Sequence, residues 1–101
     1  MAELKAAGLA RSRAGHDKGE LYIIISVQGE YAYLSDGLRR PLNKQKRKNK
    51  KHLQIVCAQS RELASKLSEG LPVHDHEIAS LIRAYKQEEG KENVESRRDR
   101  N

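Results

Sequence analysis

Residues 12–37 read SRAGHDKGELYIIISVQGEYAYLSDG, and their pattern decides the fold class. AGHDKG is turn chemistry: Gly15 and Gly19 accept positive φ, and Asp17 between them can bond its own backbone two residues on. ELYIIISVQ follows, β-branched and apolar, with Ile23, Ile24 and Ile25 consecutive, which predicts a strand buried on both sides for part of its length. Gly29-Glu30 then forms a two-residue hairpin turn into YAYLSD. There Tyr31, Tyr33 and Ser35 share one face and Ala32, Leu34 and Asp36 the other. Asp36-Gly37 is a second turn signal.

On the N-terminal side, GLARSR alternates Leu9, Arg11 and Arg13 against Ala10, Ser12 and Ala14, predicting a short first strand. On the C-terminal side, HLQIVCA at 52–58 predicts a fourth. Strand, turn, strand, hairpin, strand, basic loop and strand over residues 8–58 is the layout of a small β-barrel. The period then changes. SRELASKLSEG carries Leu63, Ala64 and Leu67 at helical spacing, with Ser60 as N-cap and Gly70 as stop. HDHEIASLIRAYKQEEG places Ile78, Leu81, Ile82 and Tyr85 on one stripe, with His74 or Asp75 as cap. The predicted organisation is an N-terminal segment 1–7, helical or loose; a barrel 8–58 with a basic loop 38–51; two short helices over 59–89; and a disordered tail 90–101, where Val94 is the single apolar residue.

Composition bounds the chemistry. A chain of 101 residues with no Phe or Trp and four Tyr holds one small aliphatic core. No apolar run approaches the roughly 20 residues that cross a bilayer, and no secretory leader pattern opens the sequence, so a soluble, cytoplasmic protein is expected. The single cysteine, Cys57, has no partner for an internal disulfide and fits a reducing compartment; LQIVCA predicts it as a buried small side chain. His74 and His76 stand two apart with no third ligand placed, so HDHE reads as a helix start and no metal or other cofactor is expected. No nucleophile–base pair or phosphate-cradling P-loop spacing is present, and neither catalytic residues nor a small-molecule substrate are predicted.

Charge is the strongest functional signal. Residues 1–53 hold twelve Lys/Arg against five Asp/Glu, a net +7, whereas 54–101 hold eight against nine, a net −1. Most of the excess lies in RRPLNKQKRKNKK, which contains Arg39, Arg40, Lys44, Lys46, Arg47, Lys48, Lys50 and Lys51 and no acid. Cations packed this densely repel one another unless a polyanion neutralises them, and lysine predominance favours phosphate contact over base reading. A membrane surface fits less well, because apolar residues are not interleaved at helical spacing. In AGHDKG, small residues let a phosphate approach the backbone while Lys18 and His16 supply donors to meet it.

GLARSRAGHDKGELYIIISV resembles a KOW motif: a strand, a polar loop, a glycine matched by Gly19, and an apolar strand. YAYLSDG resembles the segment that closes the hairpin in single-KOW large-subunit ribosomal proteins of archaea and eukaryotes. The whole is similar to small bacterial KOW-domain RNA-binding proteins, in which a lysine-rich segment precedes a match to Lys51-His52-Leu53. The resemblance spans residues 8–57 and implies an SH3-like barrel that binds structured RNA, often ribosomal, through the loop Ala14–Gly19. Gly8-Leu9-Ala10 departs from the larger β-branched residues of the family, predicting a first strand that is poorly packed or irregular. The expected RNA-binding set is Arg13, Gly15, His16, Lys18, Gly19, Arg39, Arg40, Lys44, Lys46, Arg47, Lys48, Lys50 and Lys51. Tyr22, Tyr31 and Tyr33 are candidates for base stacking, with at least one needed in the core. The alternative is a protein-interaction module binding a ribosome or RNA polymerase partner, through the stripe Ile78–Tyr85 among other surfaces.

Overall fold

A computed structural model describes residues 4–57 and 60–100, the side chains of residues 57 and 90–100 excepted. Five antiparallel strands, β1 (Leu9–Ser12), β2 (Leu21–Gln28), β3 (Tyr31–Ser35), β4 (Lys46–Asn49) and β5 (Leu53–Cys57), precede two helices, α1 (Arg61–Glu69) and α2 (Asp75–Arg100). The strands form one sheet in the order β4-β3-β2-β1-β5. β4 and β5 are its two edges, yet only a 3-10 turn, Lys50–His52, separates them in sequence. Across a flat five-stranded sheet these edges would stand about 19 Å apart, whereas such a turn advances only about 2 Å per residue. The sheet is therefore curled at this end, although among the described residues no ladder joins β4 to β5 and it is not closed.

β2 explains the arrangement. Its consecutive isoleucines serve two cores: Ile23 joins Leu9, Leu21, Leu63, Ile78 and Ile82, while Tyr22 and Ile24 join Ala10, Ala32, Leu34 and Leu53. The first core lies between the sheet and the helices; the second lies within the curl. The buried alternation of Ala32 and Leu34 follows the expected faces of β3. The first strand is irregular, with a register shift between Leu9 and Ala10, but it is not poorly packed: Leu9 and Ala10 are both buried. Leu9 packs in the core under the helices and Ala10 in the other core.

Three expectations are corrected. Residues 38–51 are not wholly loop, because Lys46–Asn49 pairs with β3 in the register Ala32↔Lys48 and Leu34↔Lys46. A strand of three cations and an asparagine lacks the apolar alternation that marks buried strands, but edge strands commonly carry lysine. Residues 4–7 are neither helical nor loose: the Ala7 N–H donates to the Ile24 carbonyl at 2.6 Å, and Ala7 is buried at a φ of 71°. Finally, α2 is not short and passes through Gly90 into the segment expected to be disordered. One helical glycine costs only about 1 kcal/mol relative to alanine, and the surrounding Gln, Glu, Lys and Arg residues are good helix formers. The expected burial of the Cys57 side chain and the boundary at residues 58–59 lie outside what is described.

Both helix caps of α1 occur as expected: Ser60 Oγ accepts from the Leu63 N–H at 3.3 Å, and Gly70 adopts the left-handed conformation. At the start of α2, Glu77 accepts the His74 N–H at 2.8 Å, the return bond of a capping box. Glu77 also pairs with Lys66 of α1, which holds its carboxyl below and the Lys66 ammonium above their usual values.

Ser35-Asp36-Gly37 seats α2 on the sheet. Ser35 Oγ donates to the Arg40 carbonyl at 2.7 Å and accepts from the Gly37 N–H at 3.2 Å, while Asp36 Oδ1 accepts from the Leu38 and Arg40 N–H groups. Gly37, at a φ of 76°, lies directly under the first turn of α2; a Cβ there would stand 2.9 Å from the Ala79 nitrogen and still closer to the Asp75 carbonyl oxygen. Asp75 Oδ1 in turn accepts the Leu42 N–H at 2.7 Å. The Gly37→Ala variant is expected to lose roughly 2–5 kcal/mol of stability through combined backbone strain and overpacking. Urea unfolding measures this, and a loss below about 1 kcal/mol would show that α2 does not rest on this turn.

Candidate functional site

The loop between β1 and β2 is built around one carboxylate. Gly15 and Gly19 take φ values of 87° and 93°, so the chain reverses and the Gly19 N–H returns to the Ser12 carbonyl at 2.8 Å. This geometry turns Asp17 inward. Its Oδ1 accepts from Ser12 Oγ at 2.9 Å and from Lys48 Nζ at 2.8 Å; its Oδ2 accepts from the Tyr22 hydroxyl at 2.8 Å. Lys48 Nζ also donates to the Ala14 carbonyl at 2.9 Å. Lys46 Nζ stands 3.8 Å from Oδ2. One side chain thus fastens the loop to β1, β2 and β4.

Burial alone would raise the Asp17 carboxyl, but the bonds from Lys48, Tyr22 and Ser12, with the Lys48 charge, outweigh it and hold the group far below its usual range. Burial first, then the Asp17 bond and charge, push the Tyr22 hydroxyl well above the usual phenol value. The side chains of Lys48 and Asp17 are only 11% and 14% exposed, so this pair is a structural tie rather than a surface ion pair.

The expected site residues fall into three groups. Arg13, His16, Lys18, Arg39, Arg40, Lys44, Arg47 and Lys51 are exposed. Lys46 and Lys50 are half-buried. Lys48 is engaged internally, and the ladder to β3 puts it and Lys46 on the face of Ala32 and Leu34. Gly15 sits against the tie, where a Cβ would lie 3.6 Å from both Asp17 Oδ1 and Lys48 Nζ; no atom comes within 4 Å of one at Gly19. Tyr22 is buried in the core and is removed from the stacking candidates.

The turn and part of the basic block line one depression. A depression of about 260 Å³ is lined by His16 and Asp17 from the loop, Arg39 and Arg40 from the turn after β3, and Lys46 from β4. Of its three acids, Asp17 is paired with Lys48, whereas Asp36, which accepts two backbone N–H groups, and exposed Glu20 keep their negative charge. Among the described residues, Arg13, Lys18, Arg39, Arg40, Lys44, Arg47, Lys50 and Lys51 form no ion pair with a carboxylate. Their positive charge is therefore available to an external anion.

Sequence reasoning missed Asp17 as the organising group, assigning its carboxylate to its own turn. The available signal was the period-2 spacing of Lys46 and Lys48, which places both ammonium groups on one side of an extended strand. Compared with known proteins, the chain matches no family model, and no curated protein is significantly similar to it.

Ionised Asp17 stabilises the fold above its ordinary pKa of 3.8, and that contribution is lost as pH falls below it toward the depressed native value. The Asp17→Asn variant is expected to be less stable than wild type by about 1–3 kcal/mol near neutral pH. The gap should narrow in acid, as read by thermal unfolding between pH 7 and pH 3. A constant gap over that range would mean that the carboxylate charge contributes nothing.

Proposed function

We propose that this chain is a non-catalytic RNA-binding protein of the KOW type, with an SH3-like barrel as its core and ribosomal RNA as its target class. The observation that carries the reading is the shared depression, in which His16 of the glycine-flanked loop faces the same space as Arg39, Arg40 and Lys46. The curl of the sheet and the three-residue 3-10 link between its edge strands support the barrel. In this reading the exposed cations of 13–18 and 39–51 bind phosphates of a structured RNA in the cytoplasm. Gly15 and Gly19 keep the loop free of side chains that would hold the phosphate away. Lys48 serves indirectly by holding the loop against β4.

A second reading, a protein-interaction module, draws on an apolar cleft of about 260 Å³ lined by Ala7, Leu9, Ile23, Leu81, Ala84 and Tyr85. The two separate on a simple criterion: a complex formed through RNA disappears after ribonuclease, whereas one formed through the cleft survives.

The quantitative test is the salt dependence of binding to a structured ribosomal RNA fragment. Affinity should fall steeply between about 50 and 200 mM salt. Replacing Arg39, Arg40, Lys44 and Lys51 with Gln should reduce the logarithmic slope by roughly 1 for each phosphate no longer neutralised. None of the four forms an ion pair among the described residues, so the circular dichroism spectrum should be unchanged. A salt-independent affinity, or full binding by the variant, would refute the electrostatic mechanism.

A further inference from the structure

The sheet has a second surface, away from the depression beside the loop, that carries two tyrosines as well as Arg47 of the basic segment. The ladders place Gln28 opposite Tyr31 and Tyr31 opposite Asn49, then Ser26 opposite Tyr33 and Tyr33 opposite Arg47. Directly paired residues project to the same side, so these six form two cross-strand rows on one face of β2, β3 and β4. The helix-covered core ends before them, with Ile23 paired to buried Ser35 one row further on. Tyr31 is 38% exposed and Tyr33 half-buried, and the Arg47 guanidinium carbon lies 4.7 Å from the centre of the Tyr31 ring.

From this arrangement we propose that the Tyr31–Tyr33–Arg47 face stacks unpaired bases of the bound RNA. The inference rests on the RNA-binding reading and gives its target a single-stranded element. Two aromatic rings on adjacent rows present π-faces that a duplex, whose bases are already stacked, cannot use. Arg47 can stack on a base as it stacks on Tyr31, and its exposed cation–π contact is worth only a few-fold in an equilibrium constant. Stacking a base is worth roughly 5- to 150-fold, so an incoming base can displace or join that contact. Gln28 and Ser26 border the rings with an amide and a hydroxyl able to meet base edges, while Asn49, whose Oδ1 accepts the Lys51 N–H, offers its amide nitrogen. Lys50 and Lys51, immediately after Asn49, supply cations for the backbone of the strand that carries the bases.

The chain contains no tryptophan, so stacking can be followed directly by quenching of tyrosine fluorescence. The full chain is titrated with an RNA hairpin bearing an unpaired loop and with a blunt duplex of the same stem. The hairpin should bind more tightly and quench; the duplex should bind without quenching. Tyr31→Ala and Tyr33→Ala should each weaken hairpin binding by roughly 5- to 100-fold and leave duplex binding unchanged, while Tyr31→Phe and Tyr33→Phe retain hairpin affinity. Unchanged duplex binding also shows that the alanine variants remain folded. Equal binding of hairpin and duplex, or hairpin affinity indifferent to both alanine variants, overturns the stacking face while leaving phosphate binding intact. If wild type binds neither RNA, both this inference and the RNA reading fall.

Discussion

The carboxylate of Asp17 accepts hydrogen bonds from three side chains on three strands, and the placement of the loop beside β4 depends on that convergence. A half-buried acid with a single donor would be a liability, because removing its charge from water costs more than one bond returns. With a hydroxyl from β1, a phenol from β2 and an ammonium from β4, the cost is offset and the glycine-flanked loop is held in one position. The same contact removes the charge of Lys48 from the outer surface and cancels an acid that would otherwise repel an anion from the depression beside it. The remaining cations keep their charge for an external partner.

A parallel constraint operates on the opposite face. Gly37 allows the first turn of α2 to approach the turn after β3, and Arg11 reaches Glu89 further along the helix at 3.2 Å. That partly buried pair is a second point at which α2 touches the sheet. The helices consequently cover the end of the sheet nearest Leu9, Leu21 and Ile23 and leave the Tyr31 end uncovered. Three regions therefore differ in chemistry: an aliphatic core under the helices, a depression lined by cations beside the loop, and an aromatic strip at the hairpin.

Much of the architecture was legible in local patterns. The consecutive isoleucines 23–25 marked a strand with two buried sides, Gly29-Glu30 marked its hairpin, and Ser60 and Gly70 marked both ends of α1. What resisted reading was every feature set by a distant partner. β4 contains no apolar residue, so only its pairing with β3 reveals it as a strand. Asp17 looked self-sufficient because Asp commonly serves its own turn, and the lysine that claims it lies 31 positions away. Among the basic residues, composition could not separate Lys48, held inside, from Arg39 and Arg40, held outside; that distinction comes from the register of β4 against β3. Gly37 read as a turn glycine, and the helix resting on it was invisible until α2 was placed.

The central claim is that the loop at 13–19 and the basic segment at 39–51 act as one RNA-facing surface. The most direct measurement is an amide chemical-shift map of the full chain titrated with a structured ribosomal RNA fragment. Shifts concentrated at residues 13–19 and 39–51, moving together with one dissociation constant, are the expected result. Shifts centred on Ala7, Leu81, Ala84 and Tyr85, with the loop and basic segment unperturbed, would contradict the account.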